Sequence, residues 1–266
     1  MYHQQFLRVR KDFKMKKCFS ILLAGVLSVS MLCSITVFAL EETVATTNTT
    51  TLSDAENTDP WYIDGDNDEP SPGAINLEEI DDITKLFPFT RAGVPDYCVM
   101  SVPVCKQATS YYCGPATVQQ LIRLFGKDYD TTQDDIAKSI GTTSAGSSLK
   151  PMVDYIRDSG YAVYRILSKP SLDDLQRLIG TNISGLYTPP IGRIRFDKGG
   201  NWSYSTNGHF LNVSGYDYTD KNNCKVRLTD PNIQRVIPSS NGEYWVTLEE
   251  FYQATITSKS KEFACT

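Results

Sequence analysis

A short run around one cysteine constrains this chain more than any other feature. The run is Gln107-Ala-Thr-Ser-Tyr-Tyr-Cys113-Gly-Pro-Ala116, and apolar residues at helical spacing follow it. It therefore predicts a thiol in the first turn of a helix, where Pro115 is well tolerated because its missing N–H has no partner there. Gly114 leaves room for an incoming backbone. A helix N-terminus favours the thiolate, so Cys113 is a candidate nucleophile; the alternative is a buried core cysteine.

The chain offers one partner for such a thiol. His209 is the only histidine after residue 39, so a base for Cys113 has to be this residue. Asp230 follows the next predicted strand, and if the two strands pair as a hairpin, its carboxylate can orient the His209 ring. The side chain of Gln107, with the Cys113 N–H, could donate to a developing oxyanion. Taken alone, each residue also fits a plain role, such as a packed histidine or a turn-initiating aspartate before proline.

The periodicity of apolar residues predicts an α+β domain, with helices first and an antiparallel sheet later. Helices are predicted over 113–125, 131–140, 148–158 and 171–179. Strands are predicted over 161–167, 191–196, 209–218, 225–229 and 234–237. Residues 74–90 also have helical spacing and could form a short helix docked on the domain.

Residues 1–39 have the features of a secretory signal peptide. Lys16 and Lys17 precede an apolar run that ends at Ala39, with Met15 as an alternative start. We expect cleavage after Ala39 and a secreted protein outside the cell or associated with its surface, without stable membrane insertion. An uncleaved anchor is the alternative, since the run is about long enough to cross a bilayer. A lipoprotein signal is disfavoured, because Cys33 follows a leucine.

Charge divides the remaining chain. Residues 40–90 carry thirteen acidic residues and one lysine, whereas residues 91–266 carry seventeen acidic and nineteen basic residues. The first segment is predicted to be an acidic flexible spacer or propeptide, and the second to be one monomeric domain. Without a basic stripe, nucleic acid is excluded as a partner. The run 64–68 lacks the glycine and glutamate of a calcium-binding loop.

Five cysteines follow residue 39, and an odd number outside the cell suggests one free thiol. With Cys113 free, proximity favours the pairs Cys98 with Cys105 and Cys224 with Cys265. The alternative, that all five are reduced, stays open. No pattern of ligands predicts a metal, and no cofactor is expected.

The order Gln, Cys, His, Asp, with an offset of six positions between the first two, resembles the papain-like cysteine peptidases. The local strings are similar to those of the bacteriocin-processing (double-glycine-type) peptidase family, in its stand-alone secreted branch. These strings are Val102-Pro-Val-Cys-Lys-Gln107, Tyr112-Cys-Gly-Pro-Ala116, Gly208-His209 and Thr229-Asp-Pro231. The resemblance covers about residues 100–235. Residues 240–266 match no pattern of the family.

The resemblance implies a papain-like fold, with the nucleophile at a helix start packed on the sheet that carries the histidine and aspartate. It implies Cys113 as nucleophile, His209 as base and then acid, Asp230 as the orienting residue and Gln107 in the oxyanion hole. Relatives that process bacteriocins are fused to a transporter, so their cleavage of double-glycine leaders in the cytoplasm is not expected here. We expect a peptide or protein substrate. The alternatives are a transpeptidase, a cell-wall amidase or a silent surface-binding module.

Overall fold

A computed structural model describes residues 70–83, 94–126, 129–236 and 240–266. Its five α-helices are α1 Cys113–Leu124, α2 Gln133–Ser139, α3 Leu149–Asp158, α4 Leu172–Gly180 and α5 Leu248–Thr257. One 3₁₀ turn covers Leu77–Glu79, and a π-helical segment, Thr181–Leu186, continues α4. The strands are β1 Ile75–Asn76, β2 Tyr97–Val99, β3 Arg165–Ser168, β4 Ile191–Phe196, β5 Thr206–Asp217, β6 Lys225–Thr229, β7 Glu243–Thr247 and β8 Glu262–Cys265.

The eight strands form one sheet in the order β1-β3-β8-β4-β5-β6-β7, with β2 also paired to β5. Every pair is antiparallel except β1 with β3. Because successive side chains of a strand point to opposite faces, Phe210 packs with α1, α2 and α3, whereas Leu211 packs with α4 and α5. Helices thus cover both faces of the sheet. The predicted α+β class is confirmed.

Local capping explains where several helices begin. Thr132, Ser171 and Thr247 each form a capping box at the start of a helix. The hydroxyl of the capping residue accepts from the N–H of the third helical residue, and the carboxylate of that third residue accepts from the N–H of the capping residue. The helix that begins with Cys113 is different, since its N-cap, Tyr112, makes no side-chain capping bond. The first N–H groups of α1 therefore lack a capping side chain, which leaves them able to interact with an anion.

Two predicted strands differ from the structure. The strand predicted over 161–167 begins only at Arg165; before it, Tyr164 donates its hydroxyl to the Pro189 carbonyl. The strand predicted over 234–237 is wrong within the described residues. The Arg235 N–H bonds the Asn232 carbonyl there, which closes a turn directly after Asp230.

Residues 70–83 pack against the sheet. The helix predicted from residue 74 is wrong in its described part, where β1 and the 3₁₀ turn stand instead; Asn76 caps the turn through the Glu78 N–H. Leu77 and Ile83 are buried in the core. Ser71 donates through its N–H and hydroxyl to the buried carboxylate of Glu262 in β8. Residues 84–90 lie outside the described residues.

The Arg193 guanidinium lies 3.5 Å from the same Glu262 carboxylate, and both side chains are buried. Its Nη1 also donates to the Ser260 hydroxyl at 2.6 Å. This ion pair joins β4 to β8 beneath the point where Ser71 attaches. The segment 70–83 is therefore held by hydrogen bonds as well as by apolar packing.

The last part of the chain completes the sheet. β7, α5 and β8 all lie in residues 240–266, which the resemblance in the sequence did not cover, and β8 inserts between β3 and β4. Because β8 joins the two halves of the sheet, the chain end is central to the fold.

None of the five cysteines among the described residues forms a disulfide, so the predicted pairs are wrong. Cys224 precedes β6, and Cys265 lies in β8, three strands away. At about 4.8 Å per strand the two are about 14 Å apart, beyond the reach of a disulfide. Cys98 pairs with β5, while the Cys105 sulfur accepts from Arg123 of α1.

The predicted signal peptide over 1–39 and the acidic run 64–68 lie outside the described residues. None of the helices in the described ranges has the length and apolar character needed to cross a membrane.

Candidate active site

Cys113 is the first residue of α1 and is almost fully buried, at 3% exposure. The neighbouring loop closes tightly on the helix start. A Cβ placed on Gly114 would lie 2.4 Å from the Ser147 Oγ and 3.2 Å from the Met152 sulfur. Only glycine fits at this position, so the sequence after the cysteine is explained by packing as well as by access.

His209 and Asp230 meet because β5 and β6 pair as an antiparallel hairpin. Asn212 lies opposite Thr229, so that the residue after β6 returns beside His209. The His209 Nε2 is 2.8 Å from the Asp230 Oδ1, with both side chains buried. A carboxylate can only accept, so Nε2 carries the hydrogen and Nδ1 is left for another partner. The predicted hairpin contact is observed.

The Cys113 side chain lies beside the His209 ring and interacts with it. Burial lowers the pKa of His209, but the Asp230 carboxylate and then the Cys113 thiol outweigh it and raise the pKa from 6.5 to about 10. For Asp230 burial has the opposite effect and raises the pKa, yet the imidazole and the other hydrogen-bond donors hold the pKa of Asp230 below the usual 3.8. Both directions favour a charged imidazolium–carboxylate pair.

Two tyrosines that the sequence did not single out complete the carboxylate's surroundings. Tyr204 and Tyr244 donate to the Asp230 Oδ2 at 2.7 and 2.9 Å. The Asn232 N–H donates to Oδ1 at 2.7 Å, beside the bond from His209. All four hydrogen bonds come from different parts of the chain, so the carboxylate is held ionised and in one orientation. The alternating run around Tyr244 could have identified β7, whereas nothing local marks Tyr204.

Gln107 lies near this site but directs its amide elsewhere. Its backbone N–H donates to the Pro231 carbonyl at 2.9 Å, which joins it to the residue after Asp230. Its Nε2 donates to the carbonyls of Thr109 and Ser110 at 2.9 and 3.0 Å. The Oε1 is buried without a hydrogen-bond partner among the described residues. Both amide hydrogens are therefore engaged within the loop.

The site is thus a buried chain of thiol, imidazole and carboxylate at a helix N-terminus. Such an arrangement can transfer the thiol proton to the imidazole and stabilise the thiolate that forms. The described residues contain no group of three or more His, Cys, Asp or Glu able to hold a metal ion. The chemistry available from these side chains is nucleophilic attack and proton transfer.

Comparison with protein families finds one match. The model of the Peptidase_C39 like family matches residues 99–259, which is 161 of the 266 residues and includes all four predicted site residues. No curated protein matches the chain.

Several solved structures are similar at low identity. A double glycine motif protease from an AMS/PCAT transporter, in complex with the leader peptide, has 16% identity over 63% of this chain and 92% of its own, with a TM-score of 0.40. The peptidase domain of Streptococcus ComA, a bi-functional ABC transporter involved in quorum sensing, has 15% identity over 62% and 96%, with a TM-score of 0.41. Recombinant stem bromelain precursor has 9% identity over 66% and 72%, with a TM-score of 0.44.

Proposed function

The chain belongs to the Peptidase_C39 like family, and we propose on that basis that it is a cysteine peptidase that hydrolyses peptide bonds. One observation carries the proposal. The buried side chains of Cys113, His209 and Asp230 lie together, with His209 hydrogen-bonded to Asp230 and Cys113 beside the imidazole at the uncapped N-terminus of α1. The functional roles of these residues are those expected from the resemblance.

In the proposed reaction the proton of the Cys113 thiol already lies on the His209 Nδ1, which gives the imidazolium that the site favours, and the resulting thiolate attacks the carbonyl carbon of the substrate. A C–S bond forms as the carbonyl π bond opens to an oxyanion. The intermediate collapses by breaking the C–N bond, and His209 gives its proton to the leaving amine. A thioester remains on Cys113. Water, deprotonated by His209, attacks it, and the carboxylic acid and the free thiol are released.

The oxyanion needs two donors, and the proposal assigns them to the Cys113 N–H and the Gln107 side chain. The first lies in the opening turn of α1, where N–H groups have no intrahelical partner. The second is engaged with the carbonyls of Thr109 and Ser110 in the structure. One Gln107 N–H then has to leave a neutral carbonyl for the charged oxyanion. Charge-assisted bonds are about twice as strong as neutral ones, which favours this exchange.

Asp230 keeps the imidazole in the productive tautomer. Its bond to Nε2 places the other ring nitrogen toward the sulfur, and its negative charge stabilises the imidazolium. The carboxylate keeps its charge because two tyrosines and a backbone N–H hydrogen-bond it. Asp230 does not itself take the proton.

We further propose a peptide or protein substrate and a secreted monomer, outside the cell or at its surface. The signal-peptide pattern of residues 1–39 supports secretion. The near balance of charge over 91–266 disfavours nucleic acid. Binding of a leader peptide is a property of the AMS/PCAT protease, and it does not identify the substrate of this chain.

Replacement of the nucleophile tests the proposal. Cys113→Ala should lower hydrolysis of a susceptible peptide by at least about 10⁴-fold, since no other thiol of the described residues interacts with His209. Circular dichroism and thermal melting should be unchanged within error. Purified protein is first profiled against a peptide library to find the substrate. Hydrolysis that survives in Cys113→Ala would contradict the mechanism.

Two further measurements separate the alternatives. A thiol-reactive, amide-mimicking probe should label Cys113, and His209→Ala should abolish labelling. A protein that binds a partner yet stays unlabelled would instead be a silent binding module. Product analysis with an added amine distinguishes hydrolysis from acyl transfer, because a transpeptidase joins the amine to the acyl group.

A further inference from the structure

The segment between β2 and α1 has no regular secondary structure, although it carries Gln107 and ends at Cys113. Residues 100–112 form neither helix nor strand. Such a segment receives no support from a helical or sheet hydrogen-bond ladder, so its position depends on individual contacts. Those contacts therefore set the position of the Gln107 backbone, from which the side chain extends.

One side chain binds the peptide units on both sides of Gln107. Gln133, at the start of α2, accepts from the Ala108 N–H at 2.8 Å through Oε1. Its Nε2 donates to the Lys106 carbonyl, also at 2.8 Å. The amide of Gln133 therefore contacts this backbone as a neighbouring strand would. Gln107 lies between the two contacts, and its own N–H points away to the Pro231 carbonyl.

The orientation of the Gln133 amide is set by a second glutamine. Gln119 of α1 donates from Nε2 to the Thr131 carbonyl at 2.8 Å, which leaves its Oε1 facing Gln133. Gln133 Nε2 donates to that oxygen at 3.0 Å. Both hydrogens of the Gln133 amide are thus used, and its oxygen accepts. A flipped amide would place oxygen against the Lys106 carbonyl, so this arrangement is the only one in which every polar group is paired.

The next residue of α2 holds the other end of the segment. The Tyr112 hydroxyl lies beside the Asp134 carboxylate, and the interaction between them raises the pKa of Tyr112. The start of α2 thus contacts the segment before Gln107, after Gln107 and next to Cys113. Capping of α2 is a separate matter, since Thr132 and Asp135 perform it without Gln133.

We propose that Gln133 is a positioning residue for the oxyanion site. It holds the backbone on either side of Gln107, so that the base of the side chain stays in place relative to Cys113 when the amide exchanges a loop carbonyl for the oxyanion. The proposal rests on the peptidase function proposed above, and it adds a residue that neither touches the substrate nor takes part in proton transfer.

The test compares two variants of Gln133 with a neighbour on the same helix. Gln133→Ala removes the whole clamp. Gln133→Glu keeps the acceptor for the Ala108 N–H but loses both donations. Thr132→Ala is the matched control, since it removes the cap of α2 but no contact to the segment. All are made in the full chain, with melting temperature as the measure of stability.

Three readouts separate positioning from stability. We expect kcat on a peptide to fall about 10- to 100-fold in both Gln133 variants, with KM little changed, since misplacing a group by about 1 Å has such an effect. A peptide aldehyde, whose adduct has an oxyanion, should bind more weakly by about the same factor as the fall in kcat. Alkylation of Cys113 by iodoacetamide forms no oxyanion, so its rate should be close to wild type. It is read at Cys113 by mass spectrometry, because other thiols are present.

The outcomes are distinct. If kcat is unchanged in Gln133→Ala, or if Thr132→Ala loses as much kcat, the positioning role is wrong while the peptidase function stands. If alkylation of Cys113 slows as much as hydrolysis, Gln133 acts on the nucleophile instead and the proposal also fails. If the wild-type protein cleaves no peptide and forms no aldehyde adduct, the peptidase function itself fails, and the positioning role fails with it.

Discussion

At the level of single residues, Asp230 is where the site's hydrogen bonds converge. Its two oxygens accept from an imidazole, a backbone N–H and two phenols while the residue is fully buried. A buried carboxylate without these donors would take up a proton. Its pKa instead lies below 3.8, and that of His209 rises to about 10. The charged pair is therefore the state that the fold stabilises.

These shifts define a pH window for stability. The depressed pKa of Asp230 gives a contribution that is present above pH 3.8 and is lost as pH falls through the folded value. The raised pKa of His209 gives one that is full below pH 6.5 and is lost as pH rises toward about 10. The pair is thus most stabilising between pH 3.8 and pH 6.5, where both contributions are present.

Tyr204→Phe and Tyr244→Phe should each remove one donor to the Asp230 Oδ2. The pKa of Asp230 then rises toward its ordinary value, because the anion loses a hydrogen bond. We expect each variant to lose about 1.5–3 kcal/mol of stability at neutral pH. The acidic limb of both stability and kcat/KM should move to higher pH. Urea unfolding and peptide hydrolysis, measured from pH 3 to 8, check this.

Tyr164→Phe is the matched control for those variants. Tyr164 is buried like Tyr204, but its hydroxyl donates to the neutral carbonyl of Pro189. Its loss should lower stability without moving the acidic limb. A shift of the same size in all three variants would show that buried hydroxyls affect the pH profile only through general destabilisation.

At the level of elements, the start of α1 is defined by its contact with the loop that precedes α3. Ser147 of this loop lies against Gly114, and its hydroxyl is hydrogen-bonded to Thr142 at 2.8 Å. The loop also closes on itself through paired backbone bonds between Thr143 and Gly146. These hydrogen bonds hold the loop in one conformation. The position of the nucleophile and the shape of this loop therefore depend on each other.

Gly114→Ala should therefore displace the loop or the helix start. The added Cβ would lie 2.4 Å from the Ser147 Oγ, well inside contact distance. We expect a loss of about 1–3 kcal/mol of stability from overpacking. A fall in kcat/KM of at least about 10-fold should accompany it, since the nucleophile moves. Urea unfolding and peptide hydrolysis measure the two effects.

Two variants control this prediction. Adding Ser147→Gly to Gly114→Ala removes the side chain in the way and should recover much of the activity. Gly185→Ala places a Cβ where no atom lies within 4 Å, and it should be tolerated. Full activity in the single Gly114→Ala variant would mean that the loop accommodates the methyl group.

At the level of the whole molecule, the segment 70–83 is part of the folded unit. It adds β1 to the edge of the sheet, buries Leu77 and Ile83, and binds Glu262 through Ser71. Charge alone placed these residues with an acidic spacer, because acidic side chains at its exposed positions dominate its composition. The few apolar residues that bury themselves carry less weight in such a count.

A chain of residues 84–266 should consequently be less stable than one of residues 70–266. Burying two aliphatic side chains contributes about 3–6 kcal/mol at most, with the hydrogen bonds to Glu262 in addition. Urea unfolding of the two chains measures the difference. Equal midpoints would show that the segment docks without stabilising the domain.

The fold was predictable wherever a signal is local. Helical periodicity and capping residues located α1 to α4 to within about two residues, and alternation located β4 and β6. The strand predicted over 234–237 failed because the turn after Asp230 outweighed a short alternating pattern. In residues 240–266 the alternating run around Tyr244 marks β7, whereas β8 gave no signal because it is defined by the strands on either side of it.

By itself the sequence determined the helix that carries Cys113, the single histidine available to it and the hairpin that brings Asp230 to His209. Each of these depends on spacing within a short stretch of chain. Only the tertiary structure brought Tyr204 and Tyr244 to Asp230, across 26 and 14 residues, and Gln133 to Ala108, across 25. The physical reason is that such contacts depend on how the elements pack, and a tyrosine or glutamine has no local feature that reveals what it will touch.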